Sequence, residues 1–316
     1  MKFNQGARLD TSQVQDRRGS SSGGPAGGGL GGLGGIAAGG GGLGLIAVVA
    51  FVLIQMFSGG GSSSGSSGAG LLDQLSGQSG SADNSQLSQS CRTGADANTR
   101  DDCAAVAIIN SVQAYWADAM AQSGTTYEPA ETVFYSGSTP TGCGTGTSGM
   151  GPFYCPTDQT VYVDLSFWND LKTQFGADSG TFTQAYVIAH EYGHHVQDLL
   201  GTSDRVGTAT GPTSGSVRLE LQADCYAGVW AKHATTVPGS DGQVLITDIT
   251  QGDVAAAIDT AGRIGDDWIQ THLGNGQVNP SSFSHGTAAQ RQKWFTTGWN
   301  SGDPATCDTF AAKTLG

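Results

Sequence analysis

Between Ala185 and Gly201 the chain reads AYVIAHEYGHHVQDLLG, a stretch that carries three of its six histidines. His190 and His194 are four residues apart and Glu191 follows the first, giving H-E-x-x-H. On a helix, positions i and i+4 lie one turn apart on one face, so both imidazoles can reach a single ion. His195 is about 100° further round than His194 and cannot turn to that ion, so it reads as a packing or supporting histidine. A catalytic metal needs a third protein ligand. A histidine six residues after His194 would mark a metzincin, but that position is Leu200, and Gln197 stands where the pattern has glycine. A carboxylate from a second helix is the next candidate, and VRLELQADCYAGVW supplies Glu220 and Asp224, again four apart. Glu220 completes a His2Glu set, while Asp224 can accept the free N–H of a ligand histidine and fix its tautomer. A solvated helix face is the plainer reading of this pair. Against it, Val217, Leu219, Leu221, Ala223, Cys225 and Tyr226 surround the two carboxylates, which in such company need partners.

Two helices must carry these side chains. The first is expected over 182–200, with Thr181 or Thr183 as cap and Gly201 as stop, and the second over 216–234. Gly193 inside the first costs about 1 kcal/mol against alanine, which implies that something packs closely there. Further helices are expected from Asp101 to Gly124, over 252–273 and over 287–299, where Thr287 and Gln290 have capping-box spacing. TVFYSG and TVYVDLSFW are rich in β-branched and aromatic residues and read as short strands. Between them TPTGCGTGTSGMGPFYCPTDQ reads as a loop. The resulting fold class is α+β, mostly helical, with a small sheet ahead of the first metal-bearing helix.

The chain has 316 residues and a net charge of −13, which argues against a nucleic-acid partner. Its N-terminus reads as a separate object. Residues 1–35 are Gly-rich, and Gly42 to Phe57 is free of charges; counted back to 36, the run is long enough for a transmembrane helix over 36–57. Arg17 and Arg18 before it, with no Lys or Arg from Phe57 to Arg92, put the N-terminus in the cytoplasm and the remainder outside. A cleavable signal peptide is the rival reading, disfavoured by the long leading segment and the lack of an A-x-A site. Residues 58–90 read as a flexible Gly/Ser-rich linker and 91–316 as the folded domain. All six cysteines come after the apolar run, as three disulfides in an exported domain would require. Nearest pairs suggest Cys91 with Cys103 and Cys143 with Cys155, leaving Cys225 with Cys307.

The N-terminal VQDRRG, the apolar segment, GPFYCPTDQTVYVDLSF, AHEYGHHVQ, RLELQADCYAGVW and FSHGTAAQRQKWF together resemble the neutral zinc metallopeptidases, the YpfJ-type bacterial membrane proteins, over nearly the whole chain. The resemblance implies a zincin-like domain with Zn2+ as cofactor. The wider gluzincin pattern, H-E-x-x-H with a later E-x-x-x-D, matches His190, Glu191, His194, Glu220 and Asp224. The activity this implies is hydrolysis of a peptide or protein substrate by zinc-activated water, with Glu191 as general base. An oxyanion donor is sought in FSHGTAAQR, where His285 and Arg291 resemble the His and Arg of H-P-x-x-x-x-R, with Gly286 in place of Pro. A helix-capping histidine and a salt-bridged arginine are the equal alternative. Two other functions remain in view: a non-catalytic, zinc-stabilised cell-envelope binding protein, and cleavage of a wall peptide cross-link. Glu191 argues against the first, because holding zinc does not require it.

Overall fold

A computed structural model describes residues 1–18, 82–178 and 180–316. In chain order the elements are β1 (Lys2–Phe3), β2 (Val14–Asp16), α1 (Ser85–Ser90), α2 (Gly94–Ala97), α3 (Asp101–Gln122), β3 (Glu131–Tyr135), β4 (Ser138–Thr141), β5 (Gly144–Thr147), β6 (Phe153–Cys155) and β7 (Thr160–Asp164). Then come α4 (Phe167–Thr173), α5 (Thr181–Leu199), α6 (Gly215–His233), β8 (Ile246–Asp248), α7 (Gln251–Arg263), α8 (Asp266–His272) and α9 (Ala288–Ser301). The fold is α+β. One sheet has the order β2-β3-β7-β6, with β2, β3 and β7 parallel and β6 antiparallel to β7 at the edge.

Local sequence explains where the long helices begin and end. Ser214 caps α6 by accepting from the Val217 N–H, and the Thr287–Gln290 capping box opens α9. Helix α3 is apolar on nearly every face and lies buried among the others, as such a helix must. The expected helix over 252–273 is two helices. The chain breaks at Ile264 and Gly265, where a Cβ would collide with the backbone of Ala288, and the break gives α8 a fresh N-terminus at Asp266. The stretch expected as a loop contains the β4–β5 hairpin and strand β6. Three residues are too few to show strand alternation, and Gly and Pro flank them. The disulfides are Cys91–Cys103, Cys143–Cys155 and Cys225–Cys307.

The N-terminal residues overturn the expected membrane topology. Strand β1 pairs with β8, matching Lys2 to Asp248, and β2 pairs with β3, matching Val14 to Thr132. The Asp83 N–H donates to the Asp16 carbonyl at 3.0 Å, and Asn110 holds both the N–H and the C=O of Asp10. Phe3, Ala7 and Val14 are buried in the core. Segments on opposite sides of a bilayer cannot share a sheet, so a single-pass protein with residues 1–18 in the cytoplasm and the domain outside is corrected. Among the described residues no helix is long and apolar enough to cross a membrane; the segment 36–57 lies outside them. The expected linker ends before residue 90, because α1 packs Leu87 into the core.

Val14 is fully buried. Val14→Ala removes two methyl-sized groups and leaves a cavity, so the expected cost is about 2 kcal/mol of stability. Urea denaturation of the full chain checks it; an unchanged midpoint would show that residues 1–18 do not pack on the domain in solution.

Candidate metal centre

Helix α5 carries two polar stripes with different partners. His190, His194 and Gln197 face α6, while Glu191, His195 and Asp198 face strand β6. The first stripe and α6 bring the expected ligands together. His190 Nε2 lies 3.2 Å from Glu220 Oε2, and His194 Nε2 lies 3.4 Å from Glu220 Oε1. One ligand atom from each of the three lies within 4.8 Å of the others, and all three residues are buried. This approach depends on Gly193, since a Cβ there would stand 3.0 Å from Ala223 Cα and 3.1 Å from its carbonyl oxygen. Gly193→Ala should therefore cost about 1–3 kcal/mol by forcing α5 and α6 apart, despite alanine's higher helix propensity. Thermal unfolding would measure it, and a rise in Tm would contradict the close packing.

Both imidazoles are held by their other nitrogen. His190 Nδ1–H donates to Asp224 Oδ1 at 2.9 Å, and His194 Nδ1–H donates to Gln197 Oε1 at 2.8 Å. Asp224 is further gripped by the Tyr186 hydroxyl at 2.6 Å and by Arg291, whose Nε and one terminal nitrogen each donate at 2.9 Å. Arg291 is thus committed: its remaining bonds go to the Ile264 carbonyl and the Tyr186 hydroxyl, and it is buried. The expectation of Arg291 as a catalytic donor is corrected. It is the salt-bridged arginine of the alternative reading, acting behind His190. Gln197, whose Nε2 bonds the Leu219 carbonyl and Gln222, and Tyr186 were not singled out from sequence as partners of the site. Gln197 stands three residues after His194 on the same helix face, a signal that was available.

His285 holds Nδ1 against Asp266 Oδ1 at 3.1 Å, and Asp266 Oδ2 accepts from the backbone N–H groups of Ser284, His285 and Gly286. Asp266 was missed because its partner lies nineteen residues further along the chain, beyond the end of α8. Burial works against a charge on His285, but Asp266 and then Glu220 outweigh it and raise its pKa. Glu191 accepts from the Tyr154 N–H at 3.0 Å, and burial pushes its carboxyl up to about 7.

The donor set fits a divalent cation. With its Nδ1–H spent on Gln197, the neutral His194 imidazole turns its Nε2 lone pair toward Glu220 Oε1, and His190 does the same toward Oε2 once it gives up the Nε2 proton it shares with Glu220. Acceptor facing acceptor in a buried site is costly without a cation between them. Two imidazoles and a carboxylate suit zinc, with their second nitrogens anchored as metal-ligating histidines usually are. Burial would lower His190, yet Asp224 and Glu220 lift it to about 10; burial draws His194 down to about 4. Burial would raise Glu220, but His194, His285 and His190 hold it well below the usual carboxylate range. At pH 8 only His190 keeps a proton that an ion must displace. Zinc binding should therefore release about one proton at pH 8 and weaken as pH falls. Calorimetry in two buffers of different ionisation enthalpy checks this, and uptake of a proton would contradict it.

A family model described as "Putative neutral zinc metallopeptidase" matches residues 1–310. The chain belongs to this family. An uncharacterized protein of Mycobacterium tuberculosis (strain H37Rv) is 49% identical over 232 residues, covering 73% of this chain and 77% of its own length. The uncharacterized protein YpfJ of Escherichia coli K12 is 49% identical over 209 residues, covering 64% of this chain and 69% of its own. No solved structure matches the chain. The family description agrees with a His2Glu cluster able to hold a metal, and the match reaches back over the N-terminal residues that pack on the domain.

Proposed function

We propose that the chain is a zinc-dependent peptidase, with His190, His194 and Glu220 as ligands and Glu191 as general base. The observation that carries this reading is the convergence of two anchored imidazoles and Glu220 beside a buried carboxyl that is not needed to hold a metal. When bound there, zinc supplies a Lewis acid that polarises a carbonyl and acidifies water. The chain's own residues supply the proton traffic. Glu191, lifted to about 7, is matched to take a proton from attacking water near neutral pH and return it to the leaving amine. Tyr154 N–H occupies its Oε2, which leaves Oε1 to carry that proton. His285, its Nδ1 held on Asp266, has Nε2 to donate to the oxygen that becomes negative as the carbonyl is attacked. Asp224, Arg291 and Gln197 keep the two imidazoles in place.

The substrate class proposed is peptide or protein, in line with the family description; the net charge of −13 provides no basic face for nucleic acid. Incubating the full chain with a diverse peptide library tests the proposal. Cleavage abolished by a chelator and restored by zinc is the expected result. A chain that holds one zinc and cuts no peptide would turn the reading towards a zinc-stabilised binding protein or a wall-peptide hydrolase.

A further inference from the structure

The second stripe of α5 takes no part in holding a metal, yet it is as ordered as the first. Glu191, His195 and Asp198 stand at i, i+4 and i+7, and one residue of β6 touches all three. Tyr154 donates its backbone N–H to Glu191 Oε2 at 3.0 Å, while its hydroxyl lies 2.9 Å from Asp198 Oδ2 and 3.1 Å from His195 Nδ1. Tyr154 thus runs along about two turns of α5, bonded at both ends.

His195 is locked from the far side. Its Nε2 lies 2.7 Å from the Glu128 carbonyl, which can only accept, so Nε2 carries the proton and Nδ1 faces the tyrosine hydroxyl as an acceptor. The ring is fully buried and packs against Tyr154, Tyr127 and Tyr192. The hydroxyl therefore has two fixed acceptors on one rigid helix. Strand β6 is otherwise held by three residues paired to β7, by the stacking of Phe153 on Tyr162 and by the Cys143–Cys155 bridge to the β4–β5 hairpin.

We infer that Tyr154 is a positioning residue for Glu191, its hydroxyl anchored on α5 by Asp198 and His195 so that its amide stays on the Glu191 carboxylate. The inference deepens the proposed function and rests on Glu191 being the base. His195, which cannot reach the ligand set, then has a role of its own, because it holds the strand that orients the carboxylate of its own stripe. Misplacing a catalytic group by about 1 Å can cost up to a hundredfold in rate, so a strand tether of this kind is worth having.

The test uses the full chain loaded with zinc and compares Tyr154→Phe with the wild type. A control, Tyr162→Phe, removes a hydroxyl from the adjacent strand that bonds Asp158 instead. Hydrogen exchange at the residue 154 amide, read by NMR, should quicken at least about tenfold in Tyr154→Phe and stay slow in the control, with the Val163 amide unchanged in both. Where peptide cleavage is measurable, kcat should fall about tenfold or more with KM and zinc stoichiometry held. Asp198→Asn keeps an acceptor for the hydroxyl and should behave as wild type, whereas Asp198→Ala should move toward Tyr154→Phe. An amide that stays protected in Tyr154→Phe, or a kcat within twofold of wild type, overturns the inference. Lost protection in a chain that cleaves no peptide in either form upholds the tether and removes the peptidase reading instead.

Discussion

Glu191→Gln is expected to lower peptide hydrolysis by about three orders of magnitude or more while leaving zinc content at wild-type level. General acid–base groups contribute about 10²–10⁴-fold, and this residue would serve twice, taking a proton from water and returning it to the amine. The amide is nearly isosteric and its oxygen can still accept from the Tyr154 N–H, so the fold and the ligands should be undisturbed. Metal analysis beside a single-substrate assay separates the cases. Retained zinc with retained activity would remove Glu191 from the chemistry. Lost zinc would instead mean that the ligand cluster depends on its charge.

Arg291→Met should act on stability first. The substitution keeps much of the volume but leaves Asp224 charged, buried and short of two hydrogen bonds. Breaking one side of a buried pair typically costs about 3–5 kcal/mol. Asp224 also anchors His190, so zinc affinity should fall by about 10–100-fold, as losses behind a metal ligand commonly do. Denaturation of the zinc-free chain reads the first effect and a competition titration against a chelating dye reads the second. A transition-state donor would give the opposite pattern, with stability and affinity preserved and kcat alone reduced.

What could be read from the sequence was what is local in it. The spacing of four between His190 and His194, and again between Glu220 and Asp224, converts directly into two helix faces. The capping box at Thr287 and Gln290 is likewise local. Gly193 signalled a close approach because its cost had to be offset somewhere, and Ala223 lies against it. The unread parts are set by distant packing. Nothing in GPFYC announces that Tyr154 lies along α5, and Asp266 reaches His285 only because Gly265 breaks a helix whose apolar pattern continues. For Arg291 both roles were chemically sensible, and only the position of Asp224 decides between them. The membrane reading failed for a related reason: charge and hydropathy were weighed along the chain, while the objection is a strand, Val14–Asp16, too short to be seen there.

The pairing of Lys2 with Asp248 also fixes an order of events during synthesis. Strand β1 leaves the ribosome long before the strand it pairs with. At about 5–20 residues per second it waits roughly 12–50 s for β8 to be made. Its companion β2 meets β3 earlier, but only after the long intervening stretch has been made. Until then β2 has no partner in its own chain, and the β3 of another nascent copy could pair with it as readily as the chain's own strand. Assembly of this domain is therefore a late and non-local step, and slow translation or crowded polysomes would penalise it before the metal centre has formed.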